Sequence, residues 1–545
     1  MVFAAIGSAQ TGEEGIPVTD SLVIAKCGAC HTRDERGNMQ RISWERTTPE
    51  GWQEALKRMI LADGVSLTPP EARSIVRYLS ASHGLAPEEA KPVMYDAERR
   101  IHVETSIPND NVGHACARCH SFARSLSWRR SPDDWKQLAE MHVSRLKLPP
   151  NDEAVAFLAK AAPLRTPEWT AWSARSRAPN VAGRWLVTAS ILGHGKYYGE
   201  MQVDPAGPAE EGEFTTSVHL TSVNDGSSMV RTGRIAVYGA SAWRGRSKGV
   251  TQGNLQGKQS ASASADDLNS EVREVLWIAP DQSTAEGRWF WGQYQEFGFD
   301  VKLRRPSADP TLLVVDGSSL KAGSQTNRVR LIGDHLPARV TPADLDLGPG
   351  VTVQRIVSST PSEVIAEVDA ASDAALGKRD VSLLHSVAPG AIAIYDRVDY
   401  IKVVPDSALA AFGDLRHGVG YQQFEAIGYQ RGPDGKAHTA DDVELGPLGP
   451  NDAAWSIEVF YAAPASSTDY VGKISTTGFF TPATDSPNNN FDVWVVATAK
   501  NEKDKNGKPL VGKGYLVVTV PTYTLGGRRY VRDLDRWIDE GPEEK

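Results

Sequence analysis

Two five-residue runs constrain this chain more than any other feature: Cys27-Gly28-Ala29-Cys30-His31 and Cys116-Ala117-Arg118-Cys119-His120. Two thiols three positions apart, with a histidine directly after the second, have the spacing that attaches a c-type haem. The thiols reach the two vinyl groups of one porphyrin as thioethers, and the imidazole meets the iron from the proximal side. The chain holds four cysteines, and these two runs use them all. A disulfide framework is left without material. A zinc site would need further Cys or His at finger-like spacing, which the sequence lacks. Two covalently bound haem c are therefore expected, with Cys27, Cys30, His31, Cys116, Cys119 and His120 as the attachment residues. Thioether formation takes place outside the bacterial cytoplasm, so a periplasmic location is expected as well.

The surroundings of the two runs repeat. Thr48-Pro49-Glu50 has a helix-capping residue followed by proline at the first helical position. Trp52, Ala55, Leu56, Met59 and Ile60 then fall on one helix face. Ser131-Pro132-Asp133-Asp134 repeats that start, its acids favoured at the positive end of the helix. Trp135, Leu138, Ala139, His142 and Val143 repeat the face. A Pro-Pro helix opening follows in each copy, at Pro69-Pro70 for a helix ending near Gly84 and at Pro149-Pro150. The pattern predicts a duplicated α-helical cytochrome c domain over 1–165, with units at 20–85 and 109–163.

Aligned on their tryptophans, the copies place Met59 and His142 at equivalent positions, each seven residues later. Both residue types ligate haem iron. The expected ligands are His31 and Met59 for the first iron, and His120 and His142 for the second. Met39 and Met94 compete for the first, and His114 and His102 for the second. Met141 is about 100° round the helix from His142 and points elsewhere. Methionine ligation raises a haem's potential. The first site is thus expected to lie above the second, with electrons running from second to first.

Past Pro163 the helical period stops and short β-type runs separated by Gly, Asn, Asp and Pro take over. Runs at 183–187, 215–221, 230–238, 272–278 and 287–292 predict an antiparallel β-barrel over 170–305. A Gln/Ser/Ala-rich loop is expected at 251–270. The Gly-x-Trp pieces at either end could line a ligand mouth, but barrel-closing core is the plainer reading. Ser307-Ala308-Asp309-Pro310 and Ala388-Pro389-Gly390 read as boundaries. They divide the rest into β-sandwich (immunoglobulin-like) domains at 307–388 and 390–545. The loop at 432–442 offers three carboxylates of the kind calcium takes, without a full acidic alternation, and reads as a solvated hairpin.

At about 150 residues per domain, 545 residues allow this many units. A net charge of -9 speaks against nucleic acid. No apolar run reaches the roughly 20 residues of a membrane span. The apolar, small-residue N-terminus lacks a basic start and resembles the stub of an export signal. No P-loop, dinucleotide fingerprint, nucleophile elbow or metalloprotease helix is present, so no catalytic residue is expected on this chain.

The two attachment runs, the Trp-x6-ligand helices with Met59 and His142, the Pro-Pro helix starts and three following β domains resemble the α subunit of bacterial quinohaemoprotein amine dehydrogenase along essentially the full chain. The resemblance implies a heterotrimer with a β-propeller subunit and a small subunit carrying a cysteine tryptophylquinone. It implies oxidation of primary amines to aldehyde and ammonia, and electron delivery to a soluble copper protein or cytochrome c. One point agrees independently: with all four cysteines committed to haem, such a quinone must lie on another chain. Two alternatives have other signatures. A dihaem peroxidase-like enzyme needs an exchangeable sixth ligand. A stand-alone carrier with partner- or glycan-binding β domains would purify alone.

Overall fold

The computed structural model describes residues 14–93, 107–117, 120–175, 178–207, 212–250, 265–413, 418–449, 451–460, 468–484 and 489–520. Its architecture is multidomain α plus all-β. Most of the loop expected at 251–270 lies outside the described residues, as do Met94, His102 and Cys119.

The helical region contains α1 Ser21–Cys27, α2 Pro49–Asp63, α3 Pro69–Ser82, α4 Pro87–Ala90, α5 Asp110–Cys116, α6 Phe122–Leu126, α7 Pro132–Leu146, α8 Asp152–Ala161 and α9 Pro167–Ser173. The capping residues do what their chemistry allows. The Thr48 and Ser131 side chains accept the N–H groups of Gly51 and Asp134, and Thr68 with Glu71 forms a reciprocal capping box. The two units close alike. The Trp52 indole donates to the carbonyl of His83 at the end of α3 (3.0 Å), and the Trp135 indole donates to the carbonyl of Ala162 at the end of α8 (3.1 Å).

Short strands β1 Glu45–Thr47 and β2 Trp128–Arg130 join the units as an antiparallel ribbon. It pairs Glu45 with Arg130, Arg46 with Arg129 and Thr47 with Trp128. The seam is ionic and buried. Arg46 grips Glu89 with two nitrogens (2.8 and 2.9 Å), donates to the Leu164 and Gly84 carbonyls, and stacks on Trp169. Arg129 reaches the same Glu89 (3.3 Å). Arg130 lies between Glu45 and Asp134. Burial and the nearby Glu45 push Asp134 up to about 6, despite Arg130.

Native Asp134 keeps a proton that the unfolded chain, near 3.8, releases. Its contribution to stability is full below about 4 and is lost as pH rises through about 6. Asp134→Asn is therefore expected to gain stability relative to wild type between those limits. Denaturant titrations across that range check it, and a constant difference would refute it.

The barrel consists of β3 Gly183–Ile191, β4 Gly195–Pro205, β5 Glu213–Ser222, β6 Ser228–Tyr238, β7 Ala242–Gly249, β8 Val272–Ile278, β9 Thr284–Trp291 and β10 Phe297–Arg304. It is closed, β10 pairing with β3, so no edge strand is left over. Trp185, Trp243 and Trp289 are fully buried in its filled interior, so the flanking Gly-x-Trp pieces supply core. The helical region docks on its wall. Ala236 and Tyr238 of β6 join the core of the first unit, and Arg77 pairs with Glu213 (2.6 Å). Glu50 at the start of α2 is buried against Arg244 and Arg273. Burial alone would raise the Glu50 pKa, but the two arginines outweigh it and hold the carboxyl below the usual range.

Two four-stranded sheets follow, built from β11 Thr311–Asp316, β12 Ser319–Lys321, β13 Asn327–Asp334, β14 Leu345–Asp346, β15 Val351–Ser359, β16 Glu363–Ala370, β17 Gly377–Leu383 and β18 Ser386–Tyr395. Ala388-Pro389-Gly390, read as a boundary, instead lies inside β18. The strand continues because a register shift opposite Asp380 accommodates the Pro-Gly pair. Gly390 takes a φ of 59° there and donates its N–H to Asp380 (2.8 Å). The last sheets comprise β19 Tyr400–Val404, β20 Ser407–Ala411, β21 Gln422–Gln423, β22 Glu425–Gln430, β23 Val443–Pro447, β24 Ala453–Val459, β25 Gly472–Ile474, β26 Phe479–Pro482, β27 Phe491–Lys503 and β28 Pro509–Thr519. In the 432–442 loop, Asp434, Asp441 and Asp442 accept local N–H groups. Among the described residues no group of three or more His, Cys, Asp or Glu could hold a metal ion.

Candidate functional site

Cys27 ends α1, and the chain folds back at once. The N–H groups of Cys30 and His31 both point to the Cys27 carbonyl (3.2 and 2.9 Å). Gly28 is required by this turn, because a Cβ there would sit 2.5 Å from the Ile24 carbonyl oxygen. In the second copy Cys116 likewise ends its helix, α5. Among the described residues, Cys27, Cys30 and Cys116 form no disulfide. Cys27 packs against a core built from α1, α2 and α3, with Val23, Trp52 and Leu56. Cys116 packs against Val112, Phe122, Trp135 and Leu158. Burial, and then the neighbouring Cys30, pushes the Cys27 thiol up, and burial does the same to Cys116. Half-buried neutral thiols in apolar surroundings fit a porphyrin face.

The histidines show a common device. Nδ1 of His31 contacts the carbonyl of Gln40 (2.9 Å), Nδ1 of His120 that of Ser121 (2.9 Å), and Nδ1 of His142 that of Leu138 (2.8 Å). A carbonyl only accepts, so in each ring Nδ1 carries the proton and the lone pair is on Nε2. Iron-ligating histidines are oriented in this way, through a hydrogen bond from the other nitrogen. His83 is the contrast. It is fully buried, both ring nitrogens are engaged, by Ser82 (2.8 Å) and the Ile16 carbonyl (3.1 Å), and burial brings its pKa down to about 4. It is a packing residue.

Met59 and His142 are both half-buried on α2 and α7. Leu146, one turn beyond His142 on the same face, is 59% exposed, an apolar surface that a flat apolar ligand would cover. Met39 is fully buried in the cluster that Cys27 packs against. His114 is exposed on α5. The motifs and helix periods did not reveal the arginine-rich seam. Its sequence signal is the arginine six residues before each tryptophan, Arg46 and Arg129.

Four family models match in succession, all named for one protein. Residues 18–157 match "Quinohemoprotein amine dehydrogenase A, alpha subunit, haem binding". Residues 178–306, 309–396 and 401–526 match domains II, III and IV of the same alpha subunit. The chain belongs to the quinohemoprotein amine dehydrogenase alpha subunit family. As such it is a haem-binding subunit of an oxidoreductase complex and has partner subunits. No curated protein matches it. Among solved structures, a redesigned β-barrel is similar at 14% identity over 24% of this chain and 100% of its own, with a TM-score of 0.18. Human protocadherin-24 EC1-2 is similar at 14% identity over 39% of this chain and 98% of its own, with a TM-score of 0.16. Neither bears on what the alpha subunit does. Among the described residues, no helix is long and apolar enough to cross a membrane.

Proposed function

We propose that this alpha subunit holds two covalent haem c and relays electrons from amine oxidation on a partner subunit to a soluble copper protein or cytochrome c in the periplasm. Cys27 with Cys30, and Cys116 with Cys119, form the thioethers. His31 and His120 are the proximal ligands, and Met59 and His142 the distal ones. Bound haem supplies a one-electron centre. The chain fixes each imidazole through Nδ1, packs Cys27 and Cys116 against apolar side chains, and holds the two units in register through the buried seam. The observation that carries the reading is the shared Nδ1-to-carbonyl anchor of His31, His120 and His142. The amine-oxidising cysteine tryptophylquinone belongs to the small partner subunit, with a β-propeller as the other partner and primary amines as substrate.

The test is purification from the native periplasm, followed by anaerobic addition of a primary aliphatic amine while the haem c α-band is watched. Reduction, with a quinone-bearing subunit co-purifying, supports the relay. Haems that stay oxidised in a protein that purifies alone would favour the stand-alone carrier.

A second distal ligand has an observation in its favour, the full burial of Met39 in the cluster beside Cys27. Met59→Leu is expected to abolish the sulfur-to-iron absorption band of the oxidised protein and to lower the higher of the two potentials, whereas Met39→Leu leaves both in place. The opposite pattern would assign Met39.

A further inference from the structure

We infer that a crevice between the barrel wall and the β11–β18 domain docks an extended segment of a partner protein in which acidic and apolar side chains alternate. The inference goes beyond the haem relay and does not depend on it. The crevice has a volume of about 790 Å³, within the range of ligand-binding clefts, and Lys91 and Pro92 of the helical region close one side.

Its two walls differ in chemistry. The barrel wall carries Lys196 on β4 and Lys302 and Arg304 on β10, all exposed. The opposite wall presents Leu313 of β11 with Val387 and Pro389 of β18, and Val387 is 50% exposed. The acids in the crevice are already engaged. Asp300 pairs with Arg288, its cross-strand neighbour (3.1 Å). Glu286 lies directly across from Lys302 in the β9–β10 ladder and would be its natural partner. Instead it is taken by Lys91 from the helical region. Among the described residues, Lys196, Lys302 and Arg304 have no carboxylate within ion-pair distance. Three cations thus face an apolar wall across a gap.

An extended chain fits that gap, because its side chains point alternately to opposite faces. Carboxylates at every second position meet the lysines and arginine, and apolar side chains between them meet Leu313 and Val387. A helix would spread the same residues round its axis, and a nucleic acid would have no use for the apolar wall.

The probe is a six-residue peptide alternating valine and glutamate, labelled for fluorescence anisotropy and titrated into the full haem-loaded chain. Controls are a valine–glutamine analogue and a peptide with its valines and glutamates in separate blocks. The alternating peptide is expected to bind, to weaken with added salt, and to bind at least tenfold more weakly to K302E/R304E. Val387→Asp, on the other wall, is expected to weaken it as well. All three positions are exposed, and an unchanged haem spectrum and circular dichroism check that the variants fold. No binding by the alternating peptide, equal binding by the block peptide, or undiminished binding to K302E/R304E overturns the inference. Displacement by free glutarate at the same concentration does so too, because it would make the crevice a small-anion site.

Discussion

Cys116→Ser combined with Cys119→Ser is expected to halve the haem content, from two covalent haems per chain to one. The expectation rests on cysteine chemistry and position. These are the thiols that remain once Cys27 and Cys30 serve the first site, and Cys116 sits at the end of α5 against the apolar face of α7. The surviving haem should keep its potential, because the first unit has its own core around Trp52 and its own anchor from His31 to the Gln40 carbonyl. Amine-driven reduction of an external acceptor should fall to background if both centres lie on the route. Haem content with the mass of the intact polypeptide, a redox titration, and the rate of amine-driven acceptor reduction read the three parts separately. Two haems remaining in the double variant would sink the attachment assignment.

Glu50→Ala is expected to destabilise the protein by about 3–5 kcal/mol, the usual consequence of leaving a buried charge without its partner. Arg244, 2% exposed, would keep its guanidinium in the interface between α2 and the barrel with no carboxylate opposite. Arg273, also paired with Glu50, would add a second positive charge beside it. The remedy distinguishes this from lost packing. Adding Arg244→Met to Glu50→Ala should recover most of the loss, since an apolar residue of similar length satisfies a buried site that a lone arginine cannot. Denaturant unfolding of the two single variants and the double variant gives the cycle. A loss below about 1 kcal/mol for Glu50→Ala would mean the pair behaves like a surface ion pair.

What could be read in advance follows from how local each signal is. The attachment runs, the Thr-Pro and Ser-Pro helix starts and the tryptophan-led faces are complete within a few residues, and the architecture of helices, barrel and further sheets was legible from them and from the strand runs. Three barrel strands, β4, β7 and β10, were not. Their outward positions carry Lys196, Glu200, Arg244, Arg246, Asp300 and Lys302, so each reads as polar loop until the closed sheet supplies an inside. Pro389 and Gly390 signalled a boundary because their accommodation depends on Asp380 across the ladder. The seam left only the repeated arginine before each tryptophan as a trace, for a related reason. Arg46 meets Glu89 43 residues later, and no local pattern says that an arginine before a helix will be buried. The ring orientations of His31, His120 and His142 likewise depend on carbonyls that only the fold brings near.

The β1–β2 ribbon is symmetric about its middle pair. Arg46 meets Arg129, its own counterpart, while Glu45 with Arg130 and Thr47 with Trp128 flank them as mirror pairings. This is the contact that two identical molecules make across a twofold axis, with one position lying on the axis itself. The helical region has the form of a homodimer whose halves have been joined end to end. In a dimer of identical chains every substitution appears twice, so the two halves can never differ. Joining removes that restriction and also makes the pairing independent of concentration. Methionine at 59 and histidine at 142 then diverge at equivalent places within one symmetric frame, as the two unlike centres proposed above require.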